Sequence, residues 1–170
     1  NEYVTKLPLI SVIVMTSNRP ETLKEVYKCY IDLIYANKEL VIVNNNSDMT
    51  YKVDNEDFLT FKDNYSNVRI VDLGYVEGIG DIVLKAIKAS RGEYIHFFDD
   101  DDLRTHSTLL SLKRAFDAEV LKDRLNKVPL DKQTLAVMPN ESVYMEEGFP
   151  VNIIVGAVNT AFFGLYKREY

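Results

Sequence analysis

Tryptophan is absent from this 170-residue chain, which has a single cysteine, five prolines and seven glycines. The lone Cys29 has no intrachain partner, so a disulfide framework is excluded and a reducing compartment such as the cytoplasm is compatible with it. No apolar run approaches the roughly 20 residues that a membrane span needs, and no signal-peptide pattern opens the chain. Basic residues are also short, with 20 Lys and Arg against 26 Asp and Glu and a formal net charge of -6. With no basic stripe to neutralise phosphates, the charge balance argues against bare nucleic acid as a partner. An anionic ligand would need a metal ion or helix N-termini as mediator. There is no internal repeat, low-complexity tract or clean linker. At this length the chain is expected to form a single domain burying about two thirds of its unfolded surface.

What is present is an alternation of strands and helices. Residues 9–16 (LISVIVMT) form a continuous apolar, β-branched run, the pattern of a strand buried on both faces. In the SNRPETL that follows, Pro20 suits a first helical turn and Glu21 its positive end. Leu23, Val26, Tyr27, Tyr30, Ile31 and Ile34 recur at helical spacing and predict its buried face. Residues 39–43 (ELVIV) predict a second strand, breaking into NNNSD, and VRIVDL a third; the stretch between them up to Asn67 shows no readable period. A helix over 79–90, stopped at Gly92, and a fourth strand, EYIHFF, follow. The helix after them would bury Leu109, Leu110, Leu112, Ala115, Phe116 and Val120, and TLAVM, SVYM and VNIIV read as weaker strands.

This order implies the α/β class, with a mostly parallel central sheet and helices on both faces. In such sheets ligands bind outside the carboxyl ends of the strands. Three polar clusters fall there: Thr16, Ser17, Asn18 and Arg19; Asn44 to Ser47; and Asp99 to Asp102. They should converge on one crevice.

The third cluster raises the sharpest question, because HFFDDDD sets four carboxylates in a row after an apolar strand. If the strand continued, Asp99 and Asp101 would face one way and Asp100 and Asp102 the other. Two ionised carboxylates about 4 Å apart repel by roughly 4 kcal/mol at an effective dielectric near 20, so the run needs positive charge, and a divalent cation supplies it. A solvated acidic loop is the commoner use of such a run, but its place at a buried strand's end favours a metal and nucleotide site.

SVIVMTSNRPETL, ELVIVNNNS and GIGDIVLKAIKASRGEYIHFFDDDDL together resemble the blocks of family 2 glycosyltransferases, which have a Rossmann-like A-type nucleotide-sugar-binding fold. The resemblance spans residues 9–116 and is most specific in ASRGEYIHFFDDDDL. It implies an enzyme that transfers a sugar, with inversion, from a nucleotide-diphospho-sugar, in first place a UDP-sugar, to a carbohydrate acceptor. It further implies that Asp99 sits near the ribose, that Asp101 holds Mn²⁺ or Mg²⁺ across both phosphates, and that Asp102 supports the metal or the sugar. Asp100 belongs to the same donor-binding element. Thr16, Ser17, Asn18 and Arg19 would line the nucleoside pocket, Asn44 and Asn45 the base, and Gly78 and Gly80 would let the chain pass close to the nucleotide. The acceptor-deprotonating carboxylate belongs to a later segment; Glu141, Glu146 and Glu147 come too early for it, so the base is expected beyond Tyr170, with 9–116 a donor-binding half and 117–170 the start of an acceptor half. Members of the family build polysaccharides at the inner face of membranes, which implies a cytoplasmic protein with peripheral membrane association.

The chain departs from the family pattern in three places. Met15 and Ser17 replace a proline and a base-stacking tyrosine, Asn44 replaces an aspartate, and Val83 and Leu84 replace an Arg-Asn pair that touches the nucleotide. Two other functions compete: a nucleotidyltransferase, which would carry a Gly-rich basic loop after the first strand, and a nucleotide-sugar-binding module without catalysis. GIGDIV is a weak dinucleotide motif, since Val83 holds the third glycine position. His96 reads as a buried structural histidine, His106 as the start of a helix, and Arg91 and Glu93 as shaping the turn into the fourth strand.

Overall fold

The computed structural model describes residues 7–17, 19–45, 56–102, 104–129, 132–133, 136–137, 141–146, 149–155 and 165–167. In chain order the elements are β1 (Ile10–Thr16), α1 (Pro20–Asp32), β2 (Lys38–Asn44), α2 (Glu56–Asn64), β3 (Val68–Asp72), α3 (Ile79–Ala89), β4 (Tyr94–Asp99), α4 (Thr108–Leu125), β5 (Ala136–Val137), β6 (Glu141–Glu146), β7 (Phe149–Val155) and β8 (Leu165–Lys167). β1 to β4 pair in parallel, as their continuous apolar runs require. β8 adds antiparallel beside β4 and carries β5 at the edge, giving the sheet order β3-β2-β1-β4-β8-β5. β6 and β7 pair with each other in a separate antiparallel ribbon.

Period-two alternation sorts the strand side chains into two cores. Val12 and Val14 of β1 and Leu40 and Ile42 of β2 pack with Leu23, Val26 and Tyr30 of α1, Phe61 of α2, and Leu109, Leu112 and Phe116 of α4. Ile13, Val41, Ile95 and Phe97 point the other way, onto Ile82 and Ala86 of α3. Each such fully buried aliphatic or aromatic side chain contributes about 1.5–3 kcal/mol. The expected fold, a mostly parallel sheet with helices on both faces, is the fold observed. Among the described residues no helix is long and apolar enough to cross a membrane.

Several expectations need correction. α1 ends at Asp32 and Leu33 takes an extended conformation, so the helical spacing lapses there. Leu33 and Tyr35 are buried while Ile31 and Ile34 are 42% and 53% exposed. On α4, Ala115 is exposed and Leu110 and Val120 only half-buried. α2 had no readable period because it is largely polar; it is held by Phe61, whose ring stacks on Tyr27 at 4.4 Å between centroids.

Candidate active site at the carboxyl ends of the strands

β1 and β2 run in register to their last residues, which places Thr16 beside Asn44, and Asp99 at the end of β4 pairs with Met15. The Asn45 N–H donates to the Thr16 carbonyl at 3.0 Å and fastens the two strand ends together. Asn44 is 1% exposed, and its Oδ1 accepts no hydrogen bond among the described residues. A buried acceptor left without a donor costs roughly 1–3 kcal/mol, so this strand end is chemically unfinished.

The four carboxylates do not alternate as a continued strand would make them. β4 stops at Asp99, and the Asp102 N–H donates to the Asp99 carbonyl at 3.2 Å, closing a turn that fans the side chains out. Asp100 turns inward and is 2% exposed. Thr16 Oγ1 donates to its Oδ2 at 2.7 Å, and Arg19 Nη2 lies 2.7 Å from its Oδ1. The same guanidinium reaches across the turn: Arg19 Nη1 donates to Asp101 Oδ2 at 2.8 Å. Asp101 is the open member, its side chain 58% exposed. The Asp102 carboxylate lies 3.4 Å from Arg104 Nη1. Arg104 is almost wholly buried and lies over the Phe98 ring, 4.8 Å from its centroid.

Positive charge therefore comes partly from the chain itself, through Arg19 for Asp100 and Asp101 and through Arg104 for Asp102. Among the described residues Asp99 makes no ion pair. Burial, then the charges of Asp102 and Asp101, push its carboxyl above the ordinary range. Burial also raises Asp100, against the Thr16 hydrogen bond and the Arg19 charge. Burial lowers Arg104, opposed by Asp102. No three His, Cys, Asp or Glu side chains converge on a metal position among the described residues. The available donors are hard carboxylate oxygens, one of them open to solvent. That set suits Mg²⁺ or Mn²⁺, which are held by one or two carboxylates while phosphate and water oxygens complete the shell.

The loop after β3 borders this edge and is tied to it. The Leu73 N–H donates to the Asn44 carbonyl at 2.9 Å. The Asn45 side chain clamps Val76 from both sides, accepting from its N–H at 2.7 Å and donating to its carbonyl at 3.0 Å. Asn45, expected at the base, thus first holds this loop, and among the described residues one of its amide N–H groups has no acceptor. Gly78 caps α3 with an ordinary backbone. A Cβ at Gly78 would meet only Asp81 at 3.6 Å and one at Gly80 nothing within 4 Å, so these glycines leave space rather than relieve contact.

Thr16, Arg19 and the acidic turn thus meet directly, with Asn44 and Asn45 alongside. Ser17 is exposed, and Asn18, Asn46, Ser47 and Glu147 lie outside the described residues. Glu141 and Glu146 end the strand β6, away from the main sheet's hydrogen bonding. His96 is fully buried on β4 opposite Val12, and His106 is exposed. Sequence reasoning missed Arg104, although an arginine two places after an acidic run is a signal for an internal counter-ion. Arg91 does shape the turn into β4: its N–H donates to the buried Glu39 carboxylate at 2.6 Å.

With this geometry in place, the comparisons define the class. A model of the family described as glycosyl transferase family 2 matches residues 11–169, and the chain belongs to that family. No curated protein matches it. Among solved structures, it is similar to the mannosyltransferase PcManGT from Pyrobaculum calidifontis in complex with GDP-Man and Mn²⁺, with a TM-score of 0.59 at 18% identity over 79% of this chain and 36% of that one. S. aureus TarS 1–349 gives a TM-score of 0.64 at 19% identity over 93% of this chain and 46% of that one. The same S. aureus protein in complex with UDP-GlcNAc gives 0.53 at 26% identity, over 66% and 32%. The chain spans less than half the length of these structures, and the likeness shows the shared A-type fold.

Proposed function

We propose that the chain is the donor-binding part of an inverting, metal-dependent glycosyltransferase that takes a sugar from a nucleotide-diphospho-sugar, in first place a UDP-sugar, to a carbohydrate acceptor. The observation that carries this reading is the meeting of the acidic turn with Thr16 and Arg19 at the carboxyl edge of the sheet, where open α/β sheets bind ligands. Membership of the family and neighbours solved with GDP-Man and with UDP-GlcNAc support it.

In this reading Asp101, the exposed carboxylate, holds Mn²⁺ or Mg²⁺, with Asp102 in support and Asp99 toward the ribose. When bound, such an ion stabilises the negative charge that develops on the departing nucleoside diphosphate. Asn44, with its unmatched buried acceptor, and Asn45, with its spare N–H, suit the edge of a base. Ser17, Gly78 and Gly80 are assigned to the same donor site, and the expectation for Asn18 falls outside the described residues. Asp100 serves through Arg19, since Thr16 hydrogen-bonds its Oδ2 and the Arg19 guanidinium ion-pairs with its buried carboxylate. The carboxylate that deprotonates the acceptor is placed outside the donor-binding half, residues 9–116. The lone cysteine accords with a cytoplasmic enzyme, and the proposed acceptor is a glycan handled at the inner face of a membrane.

Calorimetry with UDP-, GDP- and CDP-sugars, each with and without Mn²⁺, tests the reading. Uridine-selective, Mn²⁺-dependent binding that Asp101→Ala abolishes is the expected result. Binding indifferent to both the ion and the substitution would refute it.

A further inference from the structure

The guanidinium of Arg19 is paired on two sides although its side chain is 45% exposed. It joins two neighbouring acids of the turn, lying 2.7 Å from Asp100 Oδ1 through Nη2 and 2.8 Å from Asp101 Oδ2 through Nη1. Those two acids differ in kind. The Asp100 side chain is 1% exposed, its Oδ2 accepts from Thr16 at 2.7 Å and its Oδ1 is buried against the Arg19 guanidinium, so that carboxylate is held away from solvent. The Asp101 side chain is 58% exposed and makes no other hydrogen bond or ion pair among the described residues, so it can change partners. Arg19 is thus anchored on one side and exchangeable on the other. Its backbone stands at the N-cap of α1, whose partial positive end favours anions in the same place. Arg19 is the cation that reaches this turn from the β1 side.

We propose that Arg19 is a built-in counter-cation, anchored on Asp100, which neutralises Asp101 while no metal is bound and offers its freed Nη1 to the donor diphosphate once Asp101 is committed to the metal. This rests on the function proposed above and adds a regulator of cation affinity to it. The physical reason is charge balance. Four carboxylates in one turn without a counter-charge would repel, and an arginine fixed by a buried partner supplies the charge through a contact that the open ligand can exchange. When cation and diphosphate arrive together, a planar guanidinium is suited to a phosphate oxygen.

The two halves of the proposal have opposite signs, and one substitution reads both. In Arg19→Gln, Mn²⁺ alone, followed by the electron paramagnetic resonance of the free ion, should bind roughly three- to fivefold more tightly than in the unaltered protein, the scale of a lost half-exposed ion pair. UDP at saturating Mn²⁺ should bind at least roughly tenfold more weakly, the scale of a charge-assisted hydrogen bond to phosphate. Arg19→Lys keeps a charge but cannot bridge, so it should show the tighter Mn²⁺ binding with a smaller loss of UDP affinity. Unchanged or weaker Mn²⁺ binding in both variants, or unchanged UDP binding in Arg19→Gln, would overturn the proposal. If the unaltered protein binds Mn²⁺ and Asp101→Ala does not weaken it, the functional reading itself fails and this inference with it. If Asp101→Ala weakens Mn²⁺ binding but both Arg19 variants behave as the unaltered protein does, only the counter-cation role is lost.

Discussion

Gly92 and Ser11 lock the amino edge of the sheet, far along the strands from the acidic turn: the Gly92 N–H donates to Ser11 Oγ at 2.7 Å. A Cβ on Gly92 would lie 2.5 Å from both the backbone N and the Oγ of Ser11. Ser11 sits within β1, so its backbone cannot yield without disturbing two strand pairings. Gly92→Ala is therefore expected to cost about 2–3 kcal/mol, the upper part of the range for overpacking. Urea denaturation measures it, and a loss below the measurement error would contradict the packing described.

The same edge holds a buried acid. Glu39 is 1% exposed and accepts from Ser11 Oγ at 2.6 Å and from the Arg91 N–H at 2.6 Å, with Arg69 and Arg91 side chains at 3.2 Å. Burial would raise its pKa, but those hydrogen bonds and charges together outweigh burial and hold the carboxyl below its ordinary value. A folded-state pKa below the unfolded one means stability that is full above the unfolded value and lost as pH falls through the folded one. The unaltered protein should therefore lose stability on acidification more steeply than Glu39→Gln, in the pH range below the ordinary glutamate pKa. At neutral pH the substitution should cost about 1–3 kcal/mol, reduced from the fully buried case because both arginines reach solvent. Thermal melts of the two proteins across pH that ran parallel would show the ion network to be inert.

Asp100 and Asp101 are neighbours with different expected costs. Asp101→Ala removes an exposed side chain and should change the melting temperature little while abolishing cation-dependent donor binding. Asp100→Ala strips Thr16 and Arg19 of a buried partner and should cost about 1–3 kcal/mol. Melting curves and calorimetry on the pair separate the two roles; equal loss of stability in both would contradict the turn's geometry.

The two hydrogen bonds between the Asn45 side chain and Val76 set the position of the loop after β3. Asn45→Ala should raise the exchange rate of the Val76 amide by roughly tenfold, as one net hydrogen bond of about 1–1.5 kcal/mol is released, and weaken donor binding with it. Native-state hydrogen exchange is the direct readout. Unaltered protection at Val76 would mean that another contact holds the loop.

The class of fold was legible because β1 to β4 are long apolar runs separated by turn and helix signals. Where periodicity was weak, reading failed. α2 is mostly polar and is anchored by Phe61 against Tyr27, a contact between residues far apart in sequence. β8 is a short strand of three residues, and its pairing with β4 and β5 depends on where the sheet has room. At the site, the residue types are visible in the sequence, but the alternation expected for the four acids gives way to a turn, and the burial of Arg104 against the Phe98 ring is a tertiary feature.

The sequence by itself determined that acidic, amide and hydroxyl groups would gather where strands end, because hydrophobic runs mark the strands and parallel pairing aligns their ends. Only the tertiary structure decided which acid is buried, which is open and which arginine serves each. The pairing of Arg19 with Asp101 depends on side chains meeting across more than 80 positions of chain, and no local pattern encodes such a meeting.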